Sequence, residues 1–300
     1  MEEEGVNQQC SHKQISKVFA LSYCFLVSLV YVASLYFFVP VKIRGQGRDA
    51  PIHIKYRLWI VVGVSIVFTV MYPFVFLKSS SDDNNKMCLL ETLKFLGWKW
   101  ISIDDLKVLL HCIILFSMPL VLERERVFKS LKYYPFYQFL RNIVIAPLTE
   151  EVVFRGCMVP PLLSASFTVR QVTFLAPLFF GTAHVHHMMI KLRNGISPIN
   201  ALISTCVQFS YTYVFGAYSS YALIKTGSVI SIWISHSFCN WMGLPDVSFM
   251  KSRSRYYRYR WFICMGFFSS IVGFSQTFSI LFGKEMAIAY QSLTINKINA

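Results

Sequence analysis

The chain has 300 residues, 55% of them hydrophobic and only 15% charged, and its mean hydropathy is +0.48. A soluble domain of this length carries about one charged residue in four, so the balance excludes an ordinary cytosolic globule and points to a polytopic membrane protein. The net charge of +14 is of the kind seen in nucleic-acid binders, but Lys and Arg gather in short connections between apolar runs, which is the membrane pattern; no nucleic-acid partner is expected.

A helix needs about 20 apolar residues to cross a bilayer. After an acidic leader, "MEEEGVNQQC", eight runs qualify: 15–39, 58–77, 103–122, 136–163, 172–190, 201–224, 229–243 and 261–282. The first is too long for a signal peptide and lacks a basic leader, so it is expected to be retained. The fourth contains Pro147, Glu150, Glu151 and Arg155 and is expected to be a broken or partly inserted helix. The predicted fold is all-α: an integral membrane protein of about eight transmembrane helices, with a polar cavity open to the cytosol. It divides into N-terminal helices over 1–135, a core over 136–246, and a basic loop with a last helix over 247–300. The odd-numbered connections hold 16 Lys and Arg and the even-numbered ones seven. Basic residues prefer the cytosolic side, which places the odd connections there and both termini opposite. The segment "KSRSRYYRYR", 251–260, reads as a headgroup-facing anchor. The eight cysteines are scattered singly, with no C-x-x-C and no spacing that frames a disulfide or zinc scaffold.

Ionised groups in such surroundings are costly. "APLTEEVVFRG", 146–156, nevertheless holds two adjacent carboxylates and a guanidinium. Glu151 and Arg155 are four apart with the acid first, the favourable order for a helical pair. "FFGTAHVHHMM" carries His184, His186 and His187; "ISHSFCNWMG" carries His236 and Asn240, again four apart and on one face. Pro147 and Thr149 followed by two acids also read as an ordinary helix start, and each polar residue alone can serve as interhelical glue. Together they place a carboxylate, an imidazole, and an imidazole with an amide on three helices that meet in the cytosolic half of the membrane. A carboxylate beside a histidine can deprotonate water, and His with Asn can donate to an oxyanion. That inventory suffices to hydrolyse an acyl bond. Neither G-x-S-x-G nor H-E-x-x-H occurs. A zinc site of Glu150, His184 and His236 stays open, because His₂Glu is a catalytic ligand set.

"TEEVVFRG", "FFGTAH" and "HSFCN", in that order, resemble the three motifs of the type II CAAX prenyl endopeptidases, within the larger CAAX protease and bacteriocin-processing (abortive-infection) family. The pattern E-E-x-x-x-R, F-x-x-x-H, H-x-x-x-N/D falls here on Glu150, Glu151 and Arg155; on Phe180 and His184; and on His236 and Asn240. The likeness is strongest over about residues 140–246. It implies a glutamate-dependent, metal-independent endoprotease of the endoplasmic reticulum membrane. Such an enzyme removes the last three residues of prenylated C-a-a-X proteins such as small GTPases. It uses water as nucleophile and no cofactor. The resemblance further implies that Glu150 activates the water with help from His184, that His236 and Asn240 stabilise the oxyanion, and that Glu151, Arg155 and Phe180 support the site. A non-catalytic membrane scaffold of the larger family is the alternative. The completeness of the polar set favours the enzyme.

Overall fold

The computed structural model describes residues 10–79, 85–182, 186–283 and 286–295. It is helical apart from one ribbon. The helices run α1 (Lys17–Phe37), α2 (Val41–Arg44), α3 (Pro51–Phe76), α4 (Asn85–Phe95), α5 (Ile103–Leu115), α6 (Ser117–Tyr133), α7 (Phe136–Phe139), α8 (Ala146–Glu151), α9 (Val159–Ser164), α10 (Val169–Thr182), α11 (His186–Arg193), α12 (Pro198–Thr226), α13 (Val229–Met242), α14 (Arg260–Phe282) and α15 (Ile288–Ile295). Two π-helical stretches, Leu140–Ile145 and Val152–Gly156, lie on either side of α8.

Three helices are long and apolar enough to cross a membrane among the described residues: Lys17–Phe37, Pro51–Phe76 and Tyr257–Phe282. A fourth crossing follows if Asp105–Leu115 and Ser117–Glu125, bent by 71°, form one broken span. The chain is therefore a helical membrane protein, and fewer helices than the eight apolar runs pass on length and apolarity. The sixth run forms the 29-residue α12, long enough but too rich in Ser, Thr and other polar residues to pass; the remaining reason lies in the fourth, fifth and seventh runs. There the chain spends positions on Pro147, Pro177 and polar site residues, and the α-helical pieces are short. Large apolar side chains cover the outside: Phe25, Leu26 and Leu29 on α1, Ile203, Val207 and Val214 on α12, and Phe262, Met265 and Phe268 on α14 are all exposed. In water such a surface would drive aggregation; against lipid it is the expected finish.

The inward stripe of α12 is made of small residues, with Ala201, Thr205, Thr212, Gly216, Ser219 and Ser220 buried. Small residues let backbones approach, and α10 packs along this stripe. At Gly216 a Cβ would meet Pro177 Cβ at 2.9 Å and Arg155 Nη2 at 3.1 Å, so only glycine fits.

The all-α expectation is corrected at one place. Cys10–His12 (β1) pairs antiparallel with Leu77–Ser79 (β2), matching Cys10 to Ser79 and His12 to Leu77. His12 Nδ1 donates to Lys13 O at 3.1 Å, and its Nε2 accepts from the Tyr72 hydroxyl at 2.9 Å. Phe76 and Phe95 pack on its ring. Cys10 is disulfide-bonded, which the single spacing of the cysteines concealed. A three-residue strand pairing across a whole helical hairpin leaves no local periodicity to read.

Contacts sort the connections into two groups. Gln14 donates to Ser166, Lys99 to Thr226 O, Tyr290 to Phe95 O, and Ser231 to Asp105. These join the N-terminal ribbon, the segments before α5, α10 and α13, and the C-terminal helix. At the other end Arg141 reaches Asp49 and Arg48 O, and Asp246 N donates to Glu123. Asp105 has two tasks: it closes a capping box with Ser102 on α5 and accepts from Ser231 in the first turn of α13, so those two helices start side by side.

Candidate active site

Residues 136–156 form one helical passage in which π turns bracket α8. Pro147 is the local cause. In the first π stretch Ala146 N donates to Arg141 O, five residues back. The next such bond would run from residue 147 to Asn142 O, and proline has no N–H to give. Asn240 Nδ2 on α13 donates to this freed carbonyl at 3.0 Å. Trp233 Nε1, two turns earlier on α13, donates to Val144 O at 2.9 Å. The broken ladder of one helix thus fixes the register of the other. π-Bulges of this kind recur at functional sites.

The helix-start reading of Pro147 and Thr149 is corrected. The helix is already running before Pro147, and the Thr149 hydroxyl bonds backward to Ile145 O and Ala146 O. Tyr31 on α1 meets the same hydroxyl at 3.0 Å. Tyr31 and Thr149 belong to the site's support and carried no motif to announce them.

The two glutamates have separate places. The Glu151 side chain is 0% exposed and Glu150 22% exposed. Glu151 Oε1 accepts from Arg155 Nη1 at 3.1 Å and from His236 Nδ1 at 2.6 Å. Arg155 is 1% exposed. Its guanidinium lies 4.2 Å from the Phe180 ring centroid and 5.8 Å from that of Phe215, a cation–π cage that offsets part of its desolvation. Phe180 also meets Phe154 edge-on, and Phe215 lies against the His236 ring at 4.8 Å. Phe215 and Gly216, the "FG" of α12, are the cage's unforeseen wall.

A carboxylate can only accept, so Nδ1 of His236 carries the proton toward Glu151. That leaves Nε2 facing Glu150 Oε2, 3.8 Å away. One turn on, Asn240 lies exposed on the same face, with one amide hydrogen on Asn142 O and a second to donate. The structure therefore brings together Glu150, Glu151, Arg155, Phe180, His236 and Asn240. His184 and the side chains of His186 and His187 lie outside the described residues. Among the described residues no group of three His, Cys, Asp or Glu side chains is placed to hold a metal. The zinc alternative includes His184, which is not among them.

This geometry lies within the segment that known proteins share. Residues 132–242 match the family model described as type II CAAX prenyl endopeptidase Rce1-like. The chain is 50% identical over 111 residues to a human CAAX prenyl protease 2, covering 37% of this chain and 33% of that protein. It is 43% identical to the Arabidopsis thaliana CAAX prenyl protease 2, covering 35% and 34% of the two chains. With the Saccharomyces cerevisiae CAAX prenyl protease 2 the identity is 28%, but the match covers 74% of this chain and 79% of that one. The chain thus spans about a third of the length of the first two relatives. No solved structure matches it. The matched segment holds the glutamate pair, the buried arginine, and the histidine and asparagine of α13 in one connected site, and over that segment the chain is similar to the Rce1-like type II CAAX prenyl endopeptidases.

Proposed function

We propose that the chain is an intramembrane endoprotease that removes the C-terminal tripeptide from prenylated C-a-a-X proteins, small GTPases among them. The observation that carries this reading is the division of labour between the glutamates: Glu151 is buried under Arg155 and His236, while Glu150 is open and faces the free nitrogen of His236. Glu150 takes a proton from water, with His184 assisting, and the hydroxide attacks the carbonyl of the prenyl-cysteine. The second amide hydrogen of Asn240 donates to the oxyanion, joined by His236 Nε2 in the imidazolium form, which carries a proton on both ring nitrogens. The proton then passes to the leaving amine, giving a prenyl-cysteine carboxylate and a free tripeptide. The isoprenyl chain lies in lipid or against the apolar helices, with about 0.8 kcal/mol gained per buried CH₂.

The same reading gives eight crossings and a cavity open to the cytosol from the endoplasmic reticulum membrane. The Lys and Arg count supports this orientation. So does the Cys10 disulfide, since disulfides persist on the oxidising side of that membrane. No cofactor takes part. Activity is expected to survive strong zinc chelators; loss on chelation and recovery with added zinc would instead make Glu150, His184 and His236 ligands. The direct test is cleavage of a farnesylated C-a-a-X peptide by purified protein. Release of the tripeptide is expected, and an inert, folded preparation would reject the proposal.

A further inference from the structure

The site has a cationic mouth that the chemistry of water activation does not use. α3 buries Ile54, Leu58, Val61 and Ser65 in one stripe, and it packs against α8 and the first π turn. Arg57 lies three residues after Ile54, on the edge of this stripe, and is half-buried. Arg48 stands in the loop just before α3. The only acid of residues 40–57 is Asp49, and Arg141 already holds it at 2.9 Å. Arg141 also donates to Asn142 Oδ1 and Arg48 O. Arg48 and Arg57 lie in each other's field and in that of Arg141; Arg48 is opposed by Asp49 and Glu150, and Arg57 by the phenols of Tyr36 and Tyr31. Their field reaches the site. Glu150 feels Arg48, and Tyr31, whose hydroxyl meets Thr149, feels Arg57. An excess of like charge at one place on a surface raises the local concentration of an anion.

We propose that Arg57, seconded by Arg48, holds the free α-carboxylate of the tripeptide that is removed. This rests on the endoprotease reading and says how that site measures its substrate. Three extended residues reach about 10 Å, which is the separation the proposal requires between the scissile carbonyl beside Glu150 and the Arg57 guanidinium. A guanidinium fork matches a carboxylate with two parallel hydrogen bonds, which a lysine cannot reproduce. A peptide that continues past the third residue brings no charge to this point, so the cluster selects chain ends.

The test compares farnesylated C-a-a-X peptides of one sequence, made as the C-terminal acid and the C-terminal amide. The parent protein is expected to favour the acid in kcat/KM by on the order of 10- to 100-fold, the worth of a hydrogen bond to a charged group. Arg57→Gln should collapse the acid-to-amide ratio toward one, and Arg57→Lys should restore only part of it. Equal parental rates on acid and amide overturn the inference and leave the arginines as headgroup anchors. Cleavage of neither peptide overturns the protease reading itself. Should Arg57→Gln fail to fold, product inhibition of the parent decides: free tripeptide acid should inhibit and its amide should not, and equal inhibition by both overturns the proposal.

Discussion

At the scale of single residues, Glu150 and Glu151 are adjacent in sequence and opposite in circumstance. Neighbouring helical positions differ by about 100° around the axis, so one acid is fully packed and the other partly exposed. Glu151 neutralises a guanidinium that is 1% exposed and orients His236 through one oxygen. Removing one partner of a buried pair costs about 3–5 kcal/mol, because the other charge stays buried alone. Glu151→Gln is therefore expected to lower the thermal midpoint and the folded yield sharply, with some turnover in the fraction that folds. Glu150→Gln should fold as the parent does, bind prenyl-peptide, and cleave nothing detectable. Size-exclusion thermostability and a prenyl-peptide cleavage assay on both variants measure this. Parental turnover by folded Glu150→Gln protein would falsify the assignment of the base.

At the scale of elements, the passage 136–156 acts through what its helix lacks. Pro147 withholds one N–H, Asn142 O is left over, and Asn240 claims it. Pro147→Ala supplies that N–H. The variant is expected to keep or gain stability while kcat falls on the order of 10-fold, since Asn240 loses the anchor that orients it. Asn240→Ala should cost more, on the order of 100-fold in kcat, as loss of an oxyanion donor does. A Pro147→Ala enzyme with parental kcat would show that the π turn is decoration. How much of this was legible in sequence follows from the same residues. The i,i+4 spacings gave Glu151 with Arg155 and His236 with Asn240, because helical periodicity turns spacing directly into proximity. The Glu151–His236 bond joins residues 85 apart, and neither spacing nor resemblance pairs them: spacing offers Glu151 only Arg155 as its partner. The π turns, the Phe215 cage and the ribbon of Cys10–His12 had no local pattern to betray them. That ribbon carries its own consequence. Burial among aromatic rings lowers the His12 pKa from 6.5 to about 4. Below 6.5 the unfolded chain takes up a proton that the folded chain refuses, so stability is full above 6.5 and falls as pH drops toward 4. The thermal midpoint should decline over this window, and His12→Phe should remove that part of the decline. A slope unchanged in His12→Phe would take His12 out of the account.

At the scale of the whole molecule, two unrelated kinds of chemistry support the proposed orientation. The first is electrostatic: 16 Lys and Arg lie in the odd connections against seven in the even ones, and basic loops are retained in the cytosol. The second is redox: the disulfide-bonded Cys10 belongs on the oxidising side. The contacts link these clues. The ribbon that holds Cys10 shares its end of the bundle with the starts of α10 and α13, through Gln14 with Ser166 on one side and Asp105 with Ser231 on the other. Arg48, Asp49 and Arg141 lie at the opposite end, where Glu150 feels Arg48. A prenylated cysteine rests in the cytosolic leaflet, so the site and its substrate meet only if the arginine end is cytosolic. Ser252, in the basic loop, and Arg170, at the start of α10, are both exposed and mark the two ends. In sealed endoplasmic reticulum vesicles a membrane-impermeant maleimide is expected to label Ser252→Cys at once and Arg170→Cys only after permeabilisation, each measured above the labelling of the parent chain. The reverse pattern would turn the molecule over, put Glu150 on the lumenal side, and separate the proposed protease from every substrate that the Arg57 mouth is built to measure.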